Sequence, residues 1–462
     1  MGNDVGREVA RLRPRAKPIE DAVLAFQSAR LHECLGALHG NATVAAALLR
    51  ARTLLRLNRP DAALESLPAL ESEDGAPHAT IAETRILRAA ALARTSRYAQ
   101  AHDALAAAWV HVVSAANVAL EAEFEYYDAL LAWMEGRFPA AEAAARAIDA
   151  LPIPEQTWLA PPPGYAVSLA VTKARALEMR AFEAARTGRP LEQARLVRRG
   201  LAALREAAAP DRFVEASLLR NLAISARETG CAGDAETVGK RVEAFEWTPD
   251  LGEQRYHIER ALGWCRALAG DHVGALRRFR EASKLAVTPA WQLFAVIDRA
   301  YLAEELDQHI SAEEEVTHAL ELAASIDWNA TGGEESSALL LLAQLVAKRD
   351  SNAATRLLER FREARKHASA LAFAPLDPRL RGSESYARAQ IALGRGDRFG
   401  AIAFFADAFE AWNDAGSKWR AALAASDLAR LGAGEAFARF ADREIRKRPS
   451  SWLALRRGIA GP

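Results

Sequence analysis

The chain has 462 residues, half of them hydrophobic, and its 60 basic and 60 acidic side chains cancel. This balance excludes a global field that would draw the protein onto nucleic acid or an anionic membrane. The length allows either two or three ordinary domains or one repeat array, and the alanine-rich composition favours a helical array.

The cysteines indicate the compartment. Cys34, Cys231 and Cys265 are far apart and odd in number, which argues against a disulfide framework and is typical of a reducing environment. The sequence has no apolar run of the roughly 18 residues that span a bilayer, and no secretory leader. We therefore expect a cytoplasmic protein without a membrane segment.

The first 18 residues form a basic segment. It contains Arg7, Arg11 and Arg15 and is interrupted by Pro14 and Pro18. A nucleic-acid-binding arm and a solvated, flexible terminus are both open interpretations, and we expect the flexible terminus.

Paired helices are predicted from residue 19 to 448, because a phrase of turn, hydrophobe and alanine recurs along the chain. One copy is Gly136-Arg137-Phe138-Pro139-Ala140-Ala141, and another is Gly270-Asp271-His272-Val273-Gly274-Ala275. The closing residues of ten copies, here called anchors, are Ala63, Ala101, Ala141, Ala194, Ala235, Ala275, Ala312, Ala353, Ala401 and Ala436. Their spacing averages about 41 residues, longer than the 34 of an ordinary tetratricopeptide repeat.

A second regularity supports the pairing. The first helix of each pair must pass close to the second, which requires a small residue about twelve positions before the anchor. These positions hold Ala51, Ala89, Ala129, Ala181, Ala223, Gly263, Ala300, Leu341, Ala389 and Ala424.

These phrases resemble the tetratricopeptide repeat (TPR) family over roughly residues 20 to 445. The resemblance implies an all-α fold, a right-handed TPR-like α-solenoid of about ten helix pairs whose first helices line a concave groove. Repeats 1–3 would occupy residues 19–150, and repeats 4–10 residues 166–448.

The long period also resembles the sensor arm of maltose-regulator-type bacterial transcription activators. Those proteins carry a helix-turn-helix domain behind the arm, whereas this chain reaches Pro462 soon after the last repeat. We expect residues 449–462 to form a cap or tail.

Residues 151–165 interrupt the repeats with five prolines, which exclude helix. Trp158 and Tyr165 give this insertion apolar side chains. It could be a lid or docking loop over the groove, or a rigid connector packed on the adjacent pair.

Counting back from the anchors selects the side chains that would face the groove. These candidates for ligand or partner binding are Tyr126, Tyr127, Trp133, Arg220, Asn221, Arg227, His257, Arg260, Trp264 and Tyr301. In peptide-binding TPR proteins an asparagine at the place of Asn221 holds the ligand backbone. The arginines could pair with a carboxylate or phosphate, or instead with Glu215, Glu228 or Glu259 of neighbouring helices.

No motif indicates catalysis, a cofactor or a metal. Gly233 to Lys240 lacks the spacing of a phosphate-binding loop, and His32 and His39 lack the spacing of a zinc site. We therefore predict a non-catalytic scaffold that binds a peptide, a protein partner or a small effector in its groove. The alternatives are a regulatory arm that acts with a separate output partner, and an enzyme with an unrecognised site in the groove. The oligomeric state stays open, and we expect Arg260→Ala to weaken binding with little loss of stability.

Overall fold

The computed structural model describes residues 19–67, 75–151, 168–207, 209, 211–306, 308–328, 335–367 and 378–447. Within these residues there are 22 α-helices and no strand. The segments predicted at 1–18 and 449–462, and the insertion from residue 152 onward, lie outside them.

The helices follow in chain order as α1 (Ile19–Gln27), α2 (Leu31–Ala37), α3 (Val44–Arg56), α4 (Pro60–Ser66), α5 (His78–Arg94), α6 (Tyr98–Ala115), α7 (Val118–Met134), α8 (Phe138–Ala150), α9 (Leu169–Arg186), α10 (Pro190–Arg205) and α11 (Arg212–Thr229). They continue as α12 (Ala232–Ala244), α13 (Gly252–Leu268), α14 (His272–Leu285), α15 (Pro289–Glu305), α16 (His309–Ser325), α17 (Ser337–Val346), α18 (Ser351–His367), α19 (Pro378–Gly394), α20 (Arg398–Asp414), α21 (Lys418–Arg430) and α22 (Glu435–Arg446). The prediction of an all-α repeat fold is confirmed.

The recurring phrase is a helix stop followed by a helix start. Gly270 has a φ of 82°, a left-handed conformation that ends α13. The next residue, Asp271, caps α14, because its Oδ1 accepts a hydrogen bond of 2.8 Å from the Gly274 N–H. Asp397 caps α20 in the same way.

The predicted anchors mark the second helix of each pair. All ten lie within the first five residues of the even-numbered helices from α4 to α22. The nine small residues predicted at the helix crossings are all buried, and a Cβ on Gly263 would overlap the Phe279 ring. The structure adds one pair at the start, α1 and α2, so that the described helices form eleven pairs in sequence order.

The chain divides into two compact units. Unit 1 comprises residues 1–176, 202–215 and 248–250, and unit 2 comprises residues 177–201, 216–247 and 251–462. None of the described helices combines the length and the apolar character that a bilayer crossing requires.

Unit 1 has an apolar core around Phe26, Leu31 and Leu49. Beside it, the first helices of successive pairs are joined by buried charges. Arg52 of α3 donates from Nε to Glu83 of α5 at 2.9 Å and from Nη2 to Glu123 of α7 at 2.7 Å. Because all three side chains are almost fully buried, loss of Arg52 would remove the cation that the two buried carboxylates share.

Unit 2 has two large apolar clusters. One is centred on α15 to α18, and the other joins Trp264 and Phe279 to Phe405, Trp412 and other residues of α19 to α22. Unit 2 also brings its early and late helices together. A Cβ on Gly188, in the turn before α10, would lie 2.7 Å from Cα of Ala415, in the turn before α21. We call this meeting of the two turns the closing contact. It includes Arg227 and Glu228 of α11, and Ser417 and Arg420 at the start of α21.

Candidate functional site

Three of the predicted groove residues belong to unit 1. Tyr126 and Tyr127 are buried on α7, and the guanidinium carbon of Arg175 lies 4.1 Å above the Tyr126 ring. Burial would lower the pKa of Arg175, but the two tyrosines outweigh burial and raise it. Trp133 is half-buried, and its Nε1 has no hydrogen-bond partner among the described residues. Arg175, Tyr126 and Tyr127 form a cationic and aromatic cluster.

The other seven candidates belong to unit 2, and four of them line a single cavity. These four are Arg227, Arg260, Trp264 and Tyr301. The cavity has a volume of about 50 Å³, room for a few water molecules. Its remaining lining residues are Ile297, Asp298, Leu341, Gln344, Ser383, Trp412, Trp419, Arg420 and Leu423.

One side of the cavity is built on Asp298. Its carboxylate accepts a hydrogen bond of 2.6 Å from Arg260 Nε and one of 3.0 Å from Trp264 Nε1. Arg260 and Asp298 are both buried, and the guanidinium of Arg260 also lies 4.4 Å from the centre of the Phe294 ring. The pairing holds α13 and α15 together, so Arg260 has a structural role as well as a place at the cavity.

Asn221 and Arg220 are also engaged within unit 2. The Asn221 side chain is buried, and its amide donates to Glu178 at 2.9 Å. Arg220 donates to Glu253 at a long 3.5 Å, and its buried Nε has no hydrogen-bond partner among the described residues.

The pKa of His257 depends on burial and on the nearby charges. Burial, followed by the charges of Arg220, Arg260 and Arg227, lowers its pKa to about 3. The imidazole is therefore neutral near pH 7.

The opposite side of the cavity is part of the closing contact. Arg227 Nη2 donates to Glu228 Oε1 at 2.7 Å, and the Oγ of Ser417, the N-cap of α21, donates to Glu228 Oε2 at 2.7 Å. Burial would raise the pKa of Glu228, but Arg420, Arg227, Arg379 and the Ser417 hydroxyl outweigh burial and hold it well below its ordinary value. Glu228 is therefore an ionised carboxylate that links α11 to α21.

Arg420 is the unusual member of this group. Its Nη2 approaches Glu228 to 3.6 Å, beyond hydrogen-bonding distance, and its side chain is 18% exposed. It forms no hydrogen bond to any residue that the structure describes, and its buried Nε has no partner there. Burial lowers the pKa of Arg420, an effect that Glu228 only partly offsets. The cavity thus presents a guanidinium whose donors are available.

The charges of the cavity do not cancel. Arg227, Arg260 and Arg420 contribute three positive charges, and Asp298 with the adjoining Glu228 contributes two negative charges. One positive charge is left in excess. In the described part of the chain, histidine, cysteine, aspartate and glutamate nowhere gather in threes to hold a metal ion.

The sequence analysis missed Arg420, Trp412 and Trp419. Arg420 lies four residues before the crossing residue Ala424, whereas Arg220 and Arg260 lie three residues before Ala223 and Gly263. Trp412 belongs to α20, a second helix of its pair, and the count was applied only to first helices. The presence of a Trp-Arg dipeptide in α21 was the available signal.

Comparison with known proteins gives the fold. No family model matches the chain, and no curated protein sequence matches it. Among solved structures it is similar to a Rap protein in complex with competence and sporulation factor, with a TM-score of 0.51 and 13% identity, covering 82% of this chain and all of that one. The apo form of RapI gives a TM-score of 0.43 and 12% identity over 90% of this chain and 99% of its own. Rap proteins are TPR-like helical repeat proteins, and the first likeness shows that this chain has a fold of that kind.

Proposed function

We propose that the cavity of unit 2 binds a ligand through an anionic group, and that the protein acts by this binding rather than by catalysis. The observation that carries the proposal is Arg420, which is largely buried and has no hydrogen bond to a described residue. The buried Nε of this guanidinium has no hydrogen-bond partner among the described residues, and a carboxylate matches the planar geometry of guanidinium donors. The excess positive charge favours one anionic group on the ligand.

The aromatic lining suits the rest of such a ligand. Trp264 and Trp419 are stacked with ring centroids 6.0 Å apart, and Tyr301 and Trp412 also line the cavity. Aromatic walls with a few polar groups are typical of sites that hold small ligands and peptide ends. Helix pairs that stay folded when a ligand binds keep the ordering cost of binding low.

The structural neighbour is consistent with this proposal. The Rap protein of similar fold was solved in complex with competence and sporulation factor, so this type of fold can hold a ligand. A regulatory arm, including one of the maltose-regulator type, is compatible with the proposal if effector binding is its input. Recovery of a DNA-binding or signalling partner with the full-length protein would support that form of it.

The test uses two pools of five-residue peptides that differ only at the carboxyl terminus, which is free in one pool and amidated in the other. Binding to the full-length protein is measured by native mass spectrometry. The variant is Arg420→Gln, and the control is Arg439→Gln, which removes the same charge from an exposed site on α22.

We expect wild-type protein and the Arg439→Gln control to retain free-carboxyl peptides in preference to amidated ones. A charge-assisted hydrogen bond contributes about 1.5–3 kcal/mol, so Arg420→Gln should lower affinity by roughly 10- to 150-fold. Equal retention by wild type and Arg420→Gln would contradict the proposal.

A further inference from the structure

The closing contact of unit 2 joins helices that are remote in sequence. The turn before α10 and the turn before α21 are in close contact, and each has a glycine at the point of contact. A Cβ on Gly416 would lie 2.8 Å from Cδ of Pro190, and one on Gly188 would meet the Ala415 backbone. Ser225 of α11 also donates to the Pro190 carbonyl at 2.6 Å, which fixes this turn against α11.

The charges at this contact depend on one carboxylate. Glu228 lies on α11, accepts a hydrogen bond from Ser417 at the start of α21, and lies between Arg227 and Arg420. Without it, cations of α11 and α21 would face each other with no anion between them. Like charges at such short range repel strongly when partly buried.

The size of the cavity bears on how a ligand enters. A volume of about 50 Å³ holds a few water molecules and is far below the 300–1,000 Å³ of ordinary ligand pockets. The closing contact forms the wall of the cavity next to Arg420, because Arg227 and Arg420 both line the cavity and both pair with Glu228. Widening the cavity on this side requires α11 and α21 to separate.

We propose that Glu228 is a latch: its carboxylate holds α11 and α21 together, and unit 2 opens at the closing contact to admit a ligand to Arg420. The proposal rests on the proposed function only in naming the cavity as the ligand's destination. A ligand anion at Arg420 would compete with Glu228 for the same guanidinium, which couples entry to release of the latch.

The experiment measures the distance between α10 and α20 without any ligand. These helices directly precede α11 and α21, which the latch joins. Spin labels are placed at two exposed positions, Arg195→Cys and Glu410→Cys, in full-length protein that carries Cys231→Ser and Cys265→Ser. Cys34 is buried and is left in place. Double electron–electron resonance then gives the distance distribution.

The variant is Glu228→Gln, and the matched control is Glu259→Gln. Glu259 is equally buried and accepts from an arginine, Arg278 at 3.0 Å, but it bridges α13 and α14 of one helix pair. Both substitutions should lower the melting temperature. Only Glu228→Gln should add a second population at longer distance.

Ser417→Ala is a milder variant in case Glu228→Gln does not fold. It removes one hydrogen bond to Glu228 and should broaden the distribution less. If Glu228→Gln and Ser417→Ala both keep the wild-type distribution, or if Glu259→Gln broadens it as much, the latch is refuted. The peptide test would be unaffected by that result, so the two proposals fail separately.

Discussion

At the residue scale, the structure changes what Arg260 is expected to do. From sequence it was a groove residue whose removal would cost little stability. In the fold it donates to Asp298, and both side chains are almost fully buried. This contact argues against that expectation, and helix-face counting could not identify it because the partner lies 38 residues away on another helix.

We therefore predict that Arg260→Ala destabilises the protein by about 3–5 kcal/mol, because Asp298 is left buried and unpaired. Arg220→Ala is the control: its partner Glu253 is half exposed, so its loss should cost within about 1 kcal/mol. Urea unfolding of the two variants measures the difference. Equal losses would show that Asp298 is not held by Arg260.

His257 predicts a dependence of stability on pH. Its pKa is about 3 in the folded protein and 6.5 ordinarily, so the unfolded chain binds the proton more readily. This contribution is unchanged above pH 6.5 and weakens the fold as pH falls from 6.5 toward 3, by up to about 1.4 kcal/mol per pH unit. His257→Phe should flatten the curve over this range, whereas His318→Gln, at an exposed site on α16, should not. Parallel curves for wild type and His257→Phe would contradict the prediction.

At the element scale, the repeat phrase predicted most of the helix pairs because it encodes local physics. The helix stop at Gly270, the helix cap at Asp271 and the buried Ala275 are all determined by neighbouring residues in the chain. The anchor position of the tenth copy was predicted less accurately. Ala436 is exposed because Gly434, with a φ of 127°, starts α22 only at Glu435, and Ala441 is buried instead. The α1–α2 pair was not predicted because it carries no anchor phrase.

The close crossing of α13 and α14 gives a direct test of the helix pairing. Gly263→Ala places a methyl group into the Phe279 ring and should destabilise the protein by about 1–3 kcal/mol. Gly239→Ala is the control, since its Cβ would meet nothing within 4 Å and α12 should gain up to about 1 kcal/mol. Thermal unfolding should therefore shift in opposite directions for the two variants. A neutral Gly263→Ala would show that the helices cross elsewhere.

At the scale of the whole molecule, the sequence predicted the repeat fold but not the division into two units or the closing contact of unit 2. Periodicity reports which face a helix buries against its neighbours in sequence. The Glu228–Ser417 hydrogen bond joins residues 189 positions apart, and the Trp264–Trp419 stack joins α13 to α21. Such contacts depend on small rotations summed over several helix pairs, which no local pattern encodes.

The closing contact predicts a difference between two glycines at the same place in their turns. Gly416 and Gly396 have φ angles of 66° and 76°, so alanine costs about 1–2 kcal/mol of backbone strain at either. A Cβ on Gly416 also meets Pro190, whereas one on Gly396 meets nothing within 4 Å. Gly416→Ala should therefore lower the melting temperature more than Gly396→Ala. Equal losses would mean that the two turns do not touch.

We propose that Arg420 makes the unit 2 cavity a receptor for an anionic group. The most direct measurement captures small molecules and peptides from host lysate with wild type, Arg420→Gln and Arg439→Gln in parallel, and identifies what is bound by mass spectrometry. We expect an anionic molecule bound to wild type and to Arg439→Gln and lost from Arg420→Gln. The same molecule in equal amount on all three proteins would contradict it.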